Sequence, residues 1–441
     1  MGTSFRRYDP DQSLLLPPSP REWLAEGHLA HFVSDAVDSF DLSAFYGRYE
    51  GDGRRNQPFD PRMMVKVIVY GYATGCTSSR KLAKKLEEDV AFRVLAAENF
   101  PAHRTLSDFR HDHLEALRGL FVQVMGLARE SGLVKLGTVA VDGSKVKANA
   151  SRHKSMSYKE MKRQEKRLRA EVDRLLEQAD RVDAEEDALY GEDQRGDELP
   201  EALRRREDRL RVIAEAKKRL EARQAEEDRK KGRKPGDGRK SPRGGRRFKR
   251  DFGVPEESAQ DNFTDPQSRI MKTPGGYDQC YNPQLAVDGE SYLIVGTGLT
   301  DNAADNGELL GLVERIESVN GLRPEQVLAD SGYKSEANFR ALEALDIDGY
   351  VSQGREGKRP PQPPGPDRPA SQRMEHKLDQ PEGRAVYRRR KGIVEPVVGW
   401  IKHVLGFRQF SFRGLDKVAA EWDLVCLSAN LKRMHRLREA A

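Results

Sequence analysis

Cysteine is scarce in this 441-residue chain: Cys76, Cys280 and Cys426 stand far apart and form no CxxC pair. That spacing excludes a disulfide scaffold and a cysteine-built zinc site, and it suits a reducing compartment. The nine histidines form no zinc pattern either. His111-Asp112-His113 is the nearest approach, but two residues apart on a helix point their rings to nearly opposite sides. Long apolar runs are also missing. Nothing approaches the roughly 20 apolar residues that span a bilayer, and the Leu14-Leu15-Leu16 triplet is too short for a signal peptide. A soluble, cytoplasmic protein without a membrane part is expected. Aromatic residues make up 7% and hydrophobic ones 37%, against 34% charged, with a mean hydropathy of −0.78. Much of the chain must therefore be solvated helix or linker. Charge of one sign is not in large excess, since 77 basic residues face 71 acidic ones for a net +6. A polyanionic partner is favoured only where the positive charge gathers locally.

Residues 20–135 read as a helical domain. Pro61-Arg-Met-Met-Val-Lys-Val-Ile-Val-Tyr-Gly-Tyr has proline in its first turn and apolar residues on most sides, which predicts a buried helix ended by Gly75. Ser78-Ser-Arg-Lys-Leu-Ala-Lys-Lys-Leu follows, with Leu82 and Leu86 four apart and basic residues opposite. Another helix is expected from about Thr105. Short helices broken at glycine, with one cationic face, suit a helix-turn-helix-like DNA reader; a plain helical scaffold or dimerisation domain is the alternative.

The periodicity then changes. Gly137-Thr-Val-Ala-Val-Asp142 is a strand of small and β-branched residues ending in a carboxylate. Residues 151–228 read as an antiparallel helical hairpin, its seam formed by Leu168, Val172, Leu175, Ala179 and Val182 against Leu203, Leu210, Ile213 and Leu220 after a break at Gly191–Pro200. Between Arg229 and Arg250, twelve basic residues meet one acidic residue, five glycines and two prolines. Such a segment cannot bury a core and is expected as a flexible basic loop that holds DNA phosphates, with Arg246 and Arg247 as candidate contacts.

Strands resume with Gln279–Asp288 and Tyr292–Gly298, a hairpin about Gly289-Glu290. Asn302–Val319 is expected as a helix with Leu309, Leu310, Val313 and Ile316 inward, then Gln326–Asp330 as a strand, Ser335–Leu345 as a helix and Asp348–Val351 as a strand. Gly354–Pro369 reads as a linker, and the chain is helical again from Gly383. Strand, helical insertion, two strands, and then alternating helices and strands is the order of a ribonuclease H-like α/β core, a mixed sheet flanked by helices. Residues 136–150 and 251–430 would form it.

Within that order Asp142 closes the first strand and Asp330 the fourth, its neighbour in such a sheet, and sites form at the carboxyl ends of strands. Glu395, on a C-terminal helix, is the candidate third carboxylate. Arg388, Lys391, Glu395 and Lys402 share one helical face, while Ile393, Val397, Ile401 and Val404 share the opposite one. Pro396 complicates this: the helix either kinks there or starts there with Glu395 near its cap. Three carboxylates suit phosphodiester cleavage and strand transfer, in which two magnesium ions about 3.5–4 Å apart stabilise the attacking and leaving oxygens.

Several segments resemble the DDE transposases of bacterial insertion sequences: Val139-Ala-Val-Asp-Gly-Ser-Lys-Val-Lys-Ala-Asn, Asn262-Phe-Thr-Asp-Pro-Gln-Ser, Leu328-Ala-Asp-Ser-Gly-Tyr, Val394-Glu-Pro-Val-Val-Gly with Lys402, and the amino-terminal Tyr70-Gly-Tyr, Ser78-Ser-Arg and Ala91-Phe-Arg. The resemblance covers about residues 20–430. It implies an enzyme that binds terminal inverted repeats, cleaves double-stranded DNA and joins it to target DNA as a homo-oligomer. It also implies that Asp142, Asp330 and Glu395 bind two Mg2+ ions, with Mn2+ able to substitute. Tyr387, a basic residue and Lys402 would match a Tyr–Arg–Glu–Lys signature that contacts DNA. Arg390 has the usual distance from Tyr387, whereas Lys391 has the usual distance from Glu395, so either could supply the basic residue. An inactive copy that only binds DNA, or a structure-selective nuclease, would be the competing readings.

Overall fold

The computed structural model describes residues 19–49, 57–190, 201–236, 239, 248–354 and 365–440. N-terminal helices come first, among them α1 (Leu29–Asp38), α2 (Pro61–Ala73), α3 (Ser79–Glu88), α4 (Val90–Ala96), α5 (His103–Asp112) and α6 (Leu114–Glu130). Helix α2 begins where the Asp60 carboxylate accepts the N–H groups of Arg62 and Met63, and it is apolar nearly all round because it is buried nearly all round. It ends at Thr74, one residue before Gly75, whose φ of +82° turns the chain. A β-carbon on Gly75 would lie 2.7 Å from the Leu405 carbonyl oxygen, so the close approach requires glycine. In α3, Leu82 and Leu86 are buried while Arg80, Lys81, Lys84 and Lys85 face solvent. Helix α5 starts at His103, slightly ahead of Thr105. His111 is exposed and His113 is buried among Phe45, Tyr49 and Phe109.

The central sheet contains β1 (Thr138–Gly143), β2 (Gly276–Asp288), β3 (Ile294–Thr300), β4 (Gln326–Ala329) and β5 (Asp348–Val351), in the spatial order β3-β2-β1-β4-β5. Strand β2 is antiparallel to β1 and β3, whereas β1, β4 and β5 are parallel to one another. This is the ribonuclease H-like mixed sheet. The first half of β2 also pairs with Val146–Lys147 and Arg269–Thr273.

Helices α7 (Tyr158–Tyr190) and α8 (Glu201–Lys230) form the hairpin after β1. It has a small core of its own, made of Tyr158, Met161, Leu168, Ile213, Ala216 and Leu220, with Leu210 packed against it. Lys217 on Glu165 at 2.9 Å and Arg206 on Glu171 at 3.0 Å join the two helices. The side chains of Ala179, Val182 and Leu203, the break at 191–200 and most of the basic loop, with Arg246 and Arg247, lie outside the described residues.

One expectation fails between β3 and the next helix. Helix α9 spans only Leu309–Asn320, and residues 302–308 form a loop. The Asn302 side chain accepts the Ala304 N–H at 3.1 Å, so a local side-chain bond replaces the helical one. Leu310 is half-buried, and Leu312 takes the inward place beside Leu309, Val313 and Ile316. Helix α10 (Glu336–Ala344) follows its Ser335 cap, and α11 (Pro369–Asp379) is a helix with no counterpart in the sequence reading. Of the linker before it, residues 355–364 lie outside the described ones.

Helices α12 (Pro381–Gly399) and α13 (Leu415–Ala440) complete the fold. Outside the hairpin, buried residues from α1 to α13 make one continuous cluster, so the N-terminal helices and the sheet share a core. Polar links reinforce it: Tyr72 donates to Glu421 at 3.1 Å, and Arg118 reaches Asp423 at 3.0 Å. Cys280 and Cys426 are buried free thiols and Cys76 is a half-buried one. No described helix is long and apolar enough to cross a membrane.

Candidate active site

Parallel pairing brings the first two carboxylates together. The register Val139 to Val327 and Ala140 to Leu328, extended two residues, sets Asp142 level with Asp330 on strands about 4.8 Å apart, with side chains on the same face. Each aspartate braces its own turn. Asp142 Oδ1 accepts the Gly143 N–H at 2.9 Å, and Asp330 Oδ1 accepts the Gly332 N–H at 2.8 Å. Burial pushes the Asp142 carboxyl up to about 6, assisted by the negative charges of Asp330 and Asp305, against the opposing pull of Arg390 and the Gly143 N–H.

Asp305 has no counterpart among the sequence expectations, which place a helix over the loop that carries it. Its Oδ1 accepts Asn282 Nδ2 at 2.6 Å and Gln284 Nε2 at 2.9 Å, and Lys145 Nζ stands 3.5 Å away. Asn282 and Gln284 are two apart on β2 and therefore share a face, the available sequence signal for this rack. The buried Tyr333 hydroxyl donates to Gln284 Oε1 and fixes the amide from below.

Helix α12 supplies the remaining candidates. It runs through Pro396 and neither starts nor stops there; a single π-helical turn, Trp400–Val404, comes next. Arg390 is buried and places Nη1 3.8 Å from Asp142 Oδ2. Its Nε and Nη1 have no hydrogen-bond partner. Lys391 is exposed, so of the two basic candidates Arg390 is the one brought to the aspartates. Tyr387 is half-buried against the core. The packed face differs from the expected one: Ile393, Val394 and Ile401 are buried, but Val397 is half-buried and Val404 is 61% exposed. The π turn rotates its last residues around the helix axis, which moves Val404 off the sheet.

Glu395 is exposed and makes no hydrogen bond or ion pair among the described residues. Gly392, Pro396 and Trp400 line a cavity of about 380 Å³ facing α13. Glu395 lies about 100° around the helix from Pro396, on the flank away from that cavity, with Lys391. Lys402 sits seven residues further on and donates to the Lys145 carbonyl at 2.9 Å, just beyond β1. Burial lowers the Lys402 ammonium below its usual range.

A divalent cation fits half of this arrangement directly. Two side-by-side carboxylates, one of them pushed toward its neutral form, are relieved by a dication, and a buried guanidinium with unmet donors suits an oxyanion. Among the described residues no three His, Cys, Asp or Glu side chains close into a coordination sphere, so Asp142 and Asp330 are brought together while Glu395 stands on the facing helix.

Residues 18–112 match the model of a transposase domain, DUF772, and residues 249–431 match that of a transposase DDE domain. The chain belongs to the DDE transposases of insertion sequences. The two matches cover α1 to α5 and the sheet from β2 onward; Asp142 falls in the stretch between them. Transposases of this family act on DNA and use divalent metal ions. No curated relative and no solved structure matches the chain.

Proposed function

We propose that this transposase binds the terminal inverted repeats of its own element, cleaves the ends and joins them to target DNA, with Asp142, Asp330 and Glu395 as its catalytic carboxylates. The observation that carries the reading is the pairing of Asp142 and Asp330 at adjacent parallel strand ends, under a buried arginine with unmet donors. Two magnesium ions held there would supply a Lewis acid for the attacked phosphorus and an activated nucleophile. Asp142 and Asp330 hold their side of the site rigidly, because each is tied to its own turn. Glu395 approaches from α12, where no competing partner holds it. Arg390 and Lys402 place positive charge beside the scissile phosphate, and Tyr387 borders it. The exposed Arg80, Lys81 and Lys84 face of α3, together with the loop at 229–250, would hold the flanking duplex. Synapsis of two ends calls for a homo-oligomer on DNA.

The test is cleavage of DNA carrying the element's ends by purified protein with Mg2+, beside Glu395→Gln. Specific cutting by the wild type alone, with end binding retained in the variant, supports the triad. Cutting retained by Glu395→Gln removes Glu395 from it. Specific binding without cutting by the wild type favours an inactive DNA-binding copy.

A further inference from the structure

The loop between β3 and α9 ends its polar run over the site. All described side-chain contacts of Asp305 converge on Oδ1: two amide N–H groups and the Lys145 ammonium. Its Oδ2 faces the Asp330 turn, where a β-carbon on Gly332 would lie 3.0 Å from it. On the other side, a β-carbon on Gly143 would lie 2.4 Å from Asp305 Oδ1. The carboxylate is thus wedged between the residue after Asp142 and the turn after Asp330, and glycine at both places makes room for it.

Lys145 and the two amides stabilise Oδ1, but a third carboxylate gathered beside Asp142 and Asp330 still adds like-charge repulsion. Solvent does not remove the cost, since the Asp305 side chain is only 18% exposed. Two independent features show that the site is built for something it must bind. Asn282 is fully buried, yet its Oδ1 has no partner and points at Gly143, with 3.0 Å to a β-carbon there. Arg390, 7% exposed, stands over Asp142 with Nε and Nη1 making no hydrogen bond. Unmet donors and acceptors around a set of like charges mark a place for an ion with its bound water and an anionic substrate.

We propose that Asp305 is a third carboxylate of the divalent-cation site, presented by the 302–308 loop through Oδ2 and held in place by Asn282, Gln284 and Lys145. The proposal rests on the assignment of Asp142 and Asp330 as metal ligands. The strand ends then contribute two aspartates and the 302–308 loop a third, and Glu395 adds a carboxylate from α12. Lys145 and Arg390 offset part of the negative charge, and the three carboxylates do not close into a coordination sphere by themselves; a dication would draw them together.

The test measures Mn2+ binding to the full chain without DNA by electron paramagnetic resonance, for wild type, Asp305→Asn and Asp142→Asn. The asparagine variant keeps the shape of the side chain and weakens Mn2+ affinity by about tenfold or more if the proposal holds. Unchanged affinity in Asp305→Asn with a loss in Asp142→Asn overturns the role of Asp305 and leaves the paired aspartates standing. Unchanged affinity in both overturns the assignment beneath it as well. Should Asp305→Asn fail to fold, Fe2+ with ascorbate and peroxide on the wild-type chain decides, since radicals cut the backbone beside a bound ion. Cuts near 142, 305 and 330 support the proposal, and cuts near 142 and 330 alone overturn it.

Discussion

Replacing Arg390 by methionine separates a group kept for the fold from one kept for the substrate. The guanidinium is buried and its Nη1 lies 3.8 Å from Asp142 Oδ2. At an effective dielectric constant of about 20 that attraction is worth about 4 kcal/mol before desolvation. Against it, Nε and Nη1 make no hydrogen bond, and each buried unmet donor costs about 1–3 kcal/mol. The terms nearly cancel, and methionine refills the space of the arginine stem. Asp142 still has 25% of its side chain in solvent, so it is not left as a bare buried charge. The unfolding free energy of Arg390→Met, measured by urea denaturation without DNA or metal, should therefore differ from wild type by less than about 2 kcal/mol. Cleavage of end DNA with Mg2+ should fall by about 10²–10³, as when a donor to a transition-state oxyanion is removed. A loss of more than about 3 kcal/mol, with cleavage per folded molecule unchanged, would make Arg390 a structural ion-pair partner and refute the reasoning.

Separate parts of the molecule give independent outcomes. Gly143→Ala drives a β-carbon to within 2.4 Å of Asp305 Oδ1 and 2.5 Å of Gln284 Nε2; the displaced carboxylate loses charge-assisted hydrogen bonds, so about 2–4 kcal/mol of stability should go in a thermal melt. Wild-type stability in that variant would show the rack to be loose. Arg246→Ala with Arg247→Ala should lower the slope of log affinity for end DNA against log salt by about 1–2, and an identical slope would take both residues off the phosphates. Glu336 bridges α10 to α11 by accepting the Ala370 and Ser371 N–H groups and the Ser371 hydroxyl. Partial burial pushes its carboxyl up, but those bonds outweigh it and hold the group down at about 2. Since the folded value lies below the unfolded one, this stabilisation is complete above about pH 4.5 and is lost as pH falls toward 2. The protection factors of the α11 amides, corrected for intrinsic exchange, should fall across that window in wild type and be low throughout in Glu336→Gln; pH-independent protection in wild type would discount the bridge.

Local chemistry determined much of this protein. Proline after Asp60, the β-branched run before Asp142 and the glycine at 75 act on their own neighbours, so they specify helix, strand and turn wherever the chain goes. The strand and helix order was enough to name the mixed sheet and to put Asp142 and Asp330 on adjacent strands, because few topologies accept that order. Packing decided the rest. Arg390 and Lys391 lie about 100° apart around one helix, and only the sheet beneath selects the arginine. Pro396 would break an isolated helix, yet α12 continues through it, with Ile393 and Val394 buried in the core. Asp305 belongs to a loop with no periodic signal of its own, and its nearness to Asp142 exists only because β2 lies between β3 and β1 and carries Asn282 and Gln284 to meet it. Periodicity is a property of a few neighbouring residues, whereas convergence of charges from distant segments is settled by the order in which strands pair.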